Sequence, residues 1–319
     1  MKHHVKFLKF LNIDPFFLHA VLQDVVDLKL SEKSTEWQNQ WMQLKALNRM
    51  EILMSDLENI DAPKCVTNPE AAVVCNGLNP EKTVSQIPYL KGYFFLYRVS
   101  SIVGSDNFLT SLKKYVERFH GTLISTNQCV TFYCHQHGQH EDLIRQAAHF
   151  WLYTDQLPDQ SVVGNLHSNS LYNEVEAHSR FWTMQMQQKD HRNDTIALPH
   201  SPARPDQLIA LFDRLLKLAY PVPGFIIESL FDIYQPNTVN ATVYHRFCEI
   251  VVSGSHTRLL PLISQFLLDH TSMGAYIYGE LMISEVAKFQ SLARRIYKEL
   301  EPFLEQSFKT VVREIVEPC

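Results

Sequence analysis

The feature that most constrains the fold is a helical period that recurs without a competing strand period. From residue 206 on, apolar side chains return at spacings of three and four. That spacing places them on one face of a helix, whereas a half-buried strand alternates every second residue. Leu208, Leu211, Phe212 and Leu215 form such a stripe over 206–219, and Pro205 suits a first helical turn. Ile226, Ile227, Leu230 and Phe231 follow over 225–234, then Val243, Phe247, Ile250 and Val251 over 240–252, then Leu259, Leu262, Ile263 and Phe266 over 258–269. Ser284 is placed to cap the next helix, whose stripe is Val286, Phe289, Ala293 and Ile296. Leu304, Phe308, Val311 and Ile315 close the chain over 303–316. Short helices with short connections predict stacked antiparallel pairs, an α-solenoid, although no tight sequence repeat accompanies them. The low glycine content, 10 of 319 residues, fits an all-α chain.

The first half is less regular. Residues 16–60 predict one or two long polar helices, with Leu18, Leu22, Val25 and Val26 on one stripe. Residues 62–80 hold three prolines and an Asn-Gly, which predicts a loop. An apolar helix is expected over 86–104 and an amphipathic one over 106–119, where Phe108, Leu112, Tyr115, Val116 and Phe119 share a face. A short helix over 141–153 ends before Pro158. The stretch from Leu157 to Asp206 is polar and contains proline. It is expected as a linker over 156–204, partly ordered around Trp182 and Met184.

Composition narrows the classes of function. With 45% hydrophobic and 20% charged residues, the chain buries a core and is not a disordered one. Lys and Arg number 29 against 34 Asp and Glu, and no cluster of five or more cations occurs, so nucleic acid is not an expected partner. The six cysteines, Cys65, Cys75, Cys129, Cys134, Cys248 and Cys319, lack CxxC pairs and are expected as reduced thiols. The N-terminal apolar stretch is interrupted by Lys9 and Asp14–Pro15, a poor secretion signal. The most apolar window, GYFFLYRVSSIVG, is too short for a bilayer and contains Arg98. A cytoplasmic protein with no membrane partner is expected, so the triplets at Asn193 and Asn240 carry little weight as glycosylation sites.

Side chains that could carry chemistry are sparse. The zinc motif His-Glu-x-x-His is absent, as are G-x-S-x-G and the glycine-rich phosphate loops. The densest cluster of metal-binding types is CHQHGQHED, with Cys134, His135, His137, His140 and Glu141. It contains Gly138 and lies between helices, so it reads as a solvated loop rather than a rigid zinc cage. Pro88–Tyr89 stands at the start of the apolar helix, which puts a phenol in a first helical turn. From composition alone, a buried Tyr bonded to backbone is the plainer account of it.

The segment around Tyr89 carries a family resemblance. NGLNPEKTVSQIPYLKGYFF (76–95) is similar to the stretch that follows the zinc site in zinc aminopeptidases of the aminopeptidase O / leukotriene A(4) hydrolase family. HFWLYTDQLPDQ (149–160) resembles the element ending that family's catalytic domain. YHRFCEIVV (244–252) and SMGAYIYGELMISE (272–285) resemble its C-terminal domain. Together the likeness covers most of the chain from about Phe16 on.

The resemblance implies an all-α fold: the helical end of a thermolysin-like peptidase domain over 1–155, then an armadillo-like α-solenoid domain over 205–319. It implies a zinc aminopeptidase that removes N-terminal residues from peptides, with zinc as cofactor and peptides as substrate in a full-length form. In the family, two histidines and a glutamate hold the metal, the motif glutamate is general base, and a tyrosine donates to the oxyanion. Tyr89 matches that tyrosine, while the zinc motif has no counterpart in this sequence. Zinc is therefore not expected on this chain alone, and the chain is expected to be inactive as a truncated or alternatively started form. Ser272 and Gly274 occupy the positions of the cation pair with which leukotriene A(4) hydrolase holds a peptide carboxylate, so that clamp is not implied here. Helices that normally cover a zinc-bearing half are expected to expose an apolar face and to promote self-association. The alternative is a non-catalytic helical-repeat interaction protein.

Overall fold

The computed structural model describes residues 36–58, 87–122, 124–156, 158, 168–187 and 204–317. The stripe expected at Leu18–Val26, the loop at 62–80, and Cys65, Cys75, Cys319 and Asn193 lie outside these residues. Helices, single 3-10 turns and short connections make up the described residues, with no β-strand among them. The chain divides into two compact units, Met1–Ser168 and Asn169–Cys319.

In the first unit the described helices are α1 (Glu36–Glu58), α2 (Ile87–Val103), α3 (Ser105–Phe119), α4 (Thr126–Gln136) and α5 (Glu141–Tyr153). Helix α2 is apolar nearly all round, and Phe94, Phe95, Leu96 and Val99 are wholly buried. A helix with no polar face must be surrounded, and α2 packs against α1, α3 and α5. Gly104 turns the chain directly from α2 into α3 with φ +84°, a left-handed conformation that glycine takes at least cost. Helices α3 and α4 join through aromatic rings: Phe108 stacks on Tyr133 at 5.8 Å and Tyr115 meets Phe132 edge-on at 5.4 Å. Helix α4 starts with a reciprocal cap, in which Ser125 Oγ accepts from Gln128 N and Gln128 Oε1 accepts from Ser125 N.

The second unit holds α6 (Ser170–Gln187), α7 (Pro205–Leu216), α8 (Gly224–Tyr234), α9 (Ala241–Ser253), α10 (Leu260–Asp269), α11 (Gly274–Ile283), α12 (Ala287–Leu300) and α13 (Gln306–Val316). Their contacts define two rows. One runs α6–α7–α9–α11–α13; the other includes the neighbours α10 and α12. Cross-row pairs α8/α9, α11/α12 and α12/α13 close the stack. This is the expected α-solenoid, in which each helix buries its stripe against neighbours near in sequence.

Two expectations are corrected. The linker over 156–204 is interrupted by α6, whose Trp182 is wholly buried and which packs on α7. A buried polar set holds α6 there: Trp182 Nε1 donates to Tyr234 Oη at 3.0 Å, and His178 Nδ1 lies 2.7 Å from the same oxygen. Indole can only donate, so Tyr234 Oη is the acceptor from Trp182. Gln207 Nε2 also donates to Leu171 O at 3.1 Å. Secondly, Ser284 is not the N-terminal cap of the next helix but the C-terminal cap of α11; α12 starts beyond Val286, and Ser284 Oγ accepts from Val286 N at 3.2 Å within the preceding turn. Asn240, whose triplet carried little weight as a glycosylation site, is the helix cap of α9, its Oδ1 accepting from Val243 N at 2.9 Å.

Candidate functional site

The first turn of α2 carries Tyr89, and its side chain is half-buried. Four and eight residues on along the helix come Tyr93 and Tyr97, which share its face. The Tyr93 and Tyr97 rings lie 6.0 Å apart, and the Arg49 guanidinium of α1 sits 4.0 Å from the centre of the Tyr93 ring. The phenol of Tyr89 thus extends a row of tyrosines whose middle member, Tyr93, is covered by Arg49 of α1.

On the opposite flank, Lys91 is 1% exposed and its ammonium donates to the backbone oxygen of Thr154. Thr154 is the C-terminal cap of α5, where carbonyl groups are left without helical partners and the helix dipole favours a cation. One turn further along, Phe94 stacks on Trp151 at 5.1 Å. The segments around 89–95 and 149–154, far apart in sequence, are therefore clamped together by an ammonium and a ring pair. Sequence reasoning missed Lys91; the signal was a lone cation inside an apolar run.

The His/Cys cluster is dispersed by its surroundings rather than gathered. Cys134 is buried at the end of α4, with its thiol 4.0 Å from Glu141 O. His137 Nε2 lies 2.6 Å from Ser111 Oγ, while Gln139 Nε2 is 3.2 Å from His140 Nε2. Glu141 pairs with Arg145 at 2.6 Å. The expectation of a solvated loop is corrected here: the stretch is the end of a helix, a 3-10 turn and the start of α5, with His137 and Gln136 both bonded to α3. Among the described residues no three His, Cys, Asp or Glu side chains converge as metal ligands. Burial raises the thiol pKa of Cys129 and Cys248 well above the usual range and raises that of Cys134, and all three are free thiols.

In the second unit, YHRFCEIVV forms the middle of α9. Glu249, 7% exposed, is reached by His245 Nδ1 at 2.7 Å and by Arg246 Nη1 at 2.7 Å. Arg246 Nε also lies 2.8 Å from Asp213 Oδ1 on α7. The acid is thus held between two basic groups, and this knot ties α9 to its row neighbour. Ser272 is exposed in a 3-10 turn, whereas Gly274 is buried at the start of α11. A Cβ at Gly274 would stand 2.9 Å from Leu267 Cδ2, so the site has no room for a long side chain without movement of that leucine.

Comparison with known proteins agrees with this architecture. Residues 203–316 match the family model "Leukotriene A4 hydrolase, C-terminal". The chain is 30% identical over 255 residues to aminopeptidase O from Homo sapiens, covering 77% of this chain and 31% of that protein. It is 27% identical over 267 residues to human aminopeptidase B, covering 76% of this chain and 38% of the other. Yeast LTA4 hydrolase, solved in complex with bestatin, superposes with a TM-score of 0.65 at 15% identity, covering 88% of this chain and 47% of that one. This chain thus spans roughly a third of the length of these curated relatives. Over the portion it spans, the chain belongs to the aminopeptidase O / leukotriene A4 hydrolase family.

Proposed function

We propose that the chain supplies one wall of an aminopeptidase site, with Tyr89 as the donor to the oxyanion that forms when a peptide carbonyl is attacked. The observation that carries this is the placement of Tyr89: half-exposed, in the first turn of a helix whose start is clamped to α5 by the buried Lys91. A neutral phenol carries an O–H that can donate to developing negative charge. Such a donor contributes about 10²–10³ in kcat where the rest of the machinery is present. Lys91 acts on it indirectly, as a positioning residue, by fixing the turn.

The described residues do not fit a zinc cage: Cys134, His137, His140 and Glu141 of the densest donor cluster are each engaged elsewhere, and among the described residues no three His, Cys, Asp or Glu side chains converge. No step is therefore assigned to a metal on this chain. On this reading the chain alone releases no arylamine from aminoacyl arylamides. Stoichiometric zinc together with turnover would overturn that part. In a product that joins the chain to a zinc-bearing half, Tyr89→Phe lowers kcat about 10²–10³-fold while the melting temperature stays unchanged. Unchanged kcat would remove Tyr89 from the mechanism. Self-association of the isolated chain and a cytoplasmic location belong to the same reading; sedimentation tests the first and fractionation the second. Among the described residues no helix is long and apolar enough to cross a membrane.

A second reading, a helical-repeat interaction protein, is favoured by one observation in the second unit: an open groove on the solenoid with a distinct charge.

A further inference from the structure

That groove lies between α10 and α12, with a volume of about 660 Å³. Leu260, Pro261 and Ser264 form the α10 wall, and Leu292 is the buried member of its floor. The α12 wall presents Lys288 and Arg295 on either side of Ser291. Both cations are exposed, and neither takes part in an ion pair. The lining contains two cations and no carboxylate, in a chain whose formal net charge is −5.

Three physical features of the groove select its occupant. Lys288 and Arg295 are seven residues apart on one helix, so their Cα atoms lie on the same face, roughly 10 Å apart along the axis. Between them the lining is small or aliphatic, with Ala287, Ser291 and Ser264 leaving the depth and Leu292 and Leu260 the apolar surface. Finally, Leu260–Ser264 and Ala287–Ser291 are the first turns of their helices, so both helices present their positive ends to the same part of the groove. A bare polyanion would use the charges and leave the apolar floor idle. A helix with carboxylates two turns apart and an aliphatic side chain between them uses all three.

We infer that the α10/α12 groove docks an acidic amphipathic helix of a partner protein, its two carboxylates on Lys288 and Arg295 and its central aliphatic residue on Leu292. This is the helix-in-groove mode of recognition, with charge setting orientation and the apolar contact setting affinity. The inference is independent of the role given to Tyr89, which lies in the other unit.

The test uses the full chain and a fluorescein-labelled helical 15-residue peptide, Glu-x-x-x-Leu-x-x-Glu on an Ala/Gln background, read by anisotropy. Saturable binding is expected. It should weaken about tenfold or more on Lys288→Glu with Arg295→Glu, and similarly when both peptide Glu are changed to Gln. Both substituted side chains are exposed, and an unchanged circular dichroism melt verifies that the variant is folded. Replacing the peptide Leu by Ser should weaken binding as well. Absence of saturable binding overturns the inference, as does binding indifferent to the charge reversal. If the Ser peptide binds as tightly as the Leu peptide, or heparin or anionic vesicles bind the groove while the peptide does not, the site is a general anion surface and the inference fails. A dimer of the chain that the charge reversal converts to monomer would assign the groove to a second copy instead.

Discussion

The two units solve the burial problem in different ways. The first is organised round a hub: α2 is apolar over most of its surface and touches α1, α3 and α5. The second is organised in rows, where each helix leans on a few neighbours and stability is a sum of nearest-neighbour terms. A hub concentrates the consequence of one lost side chain, whereas a row confines it. In the first, Lys91 and Phe94 hold the first turns of α2 against the end of α5. The second yields long exposed grooves between parallel helices.

The sharpest way to break this comparison is to remove one ring from each unit. Phe94 is wholly buried and stacked on Trp151, and Phe289 is wholly buried in α12. Each Phe→Ala change should cost about 3–5 kcal/mol. In hydrogen exchange, Phe94→Ala should raise opening rates over α1, α2, α3 and α5 together, while Phe289→Ala should raise them over α11, α12 and α13 and leave α7 protected. Equal spread in both variants would dissolve the distinction.

Glycine substitutions sharpen it with a smaller effect. A Cβ at Gly254 would stand 2.6 Å from Val222 O and 2.4 Å from Ile227 Cδ1. Backbone cannot give way cheaply, so Gly254→Ala should cost about 1–3 kcal/mol, chiefly around α8 and α9. At Gly104 nothing lies within 4 Å, and the cost comes from φ +84° alone. Gly104→Ala should therefore cost about 1 kcal/mol. Denaturant midpoints of the two variants rank them, and the reverse order would mean that the close approach at Gly254 relaxes freely.

Lys91→Met keeps the apolar stem and removes the ammonium from Thr154 O. An unsatisfied buried carbonyl with loss of a charged donor amounts to about 1–3 kcal/mol, and the loss should appear in the melting of the first unit. In an active product joined to a zinc-bearing half, it should also lower kcat with little change in KM, since the turn that aims Tyr89 would loosen. A stability loss with kcat intact would leave Lys91 a structural residue only.

How far the sequence revealed these features depended on periodicity. Helices α7, α9 and α12 carry clear stripes whose residues are buried where the spacing predicts them, whereas in α13 the buried residues are Val312 and Val316, one position on from the expected Val311 and Ile315. Helix α11, Gly274–Ile283, went unrecognised as a helix because GAYIYGELMI is apolar on nearly every side and has no stripe to read. Helix α6 was hidden differently: its buried face includes His178, whose partner Tyr234 comes 56 residues later. The Ser125–Gln128 cap before α4 was a legible signal that went unused. At the candidate site, Pro88 and the apolar run already placed Tyr89 in a first turn. Lys91's partner could not be read, because Thr154 is 63 residues away and pairing across such a distance has no local signature.

The smallest expected effect comes from the contact between α3 and the end of α4. Ser111 Oγ is 2.8 Å from Asn107 O, to which its hydroxyl donates. The 2.6 Å contact with His137 Nε2 is then filled by the ring N–H, which the neutral and the protonated imidazole can both supply. Burial, and after it the charges of His140 and Lys114, hold the His137 pKa below its ordinary value of 6.5. The folded chain thus takes up this proton at lower pH than the unfolded chain does. The unfolded state binds more protons in that window, so stability from this group is complete above about pH 6.5 and declines as pH falls toward the folded pKa. Melting temperatures of the chain and of His137→Gln, measured from pH 7.5 to 5.5, should converge at the acidic end. Curves that stay parallel would show that the ring is charged equally in both states and that the α3–α4 contact is indifferent to the proton.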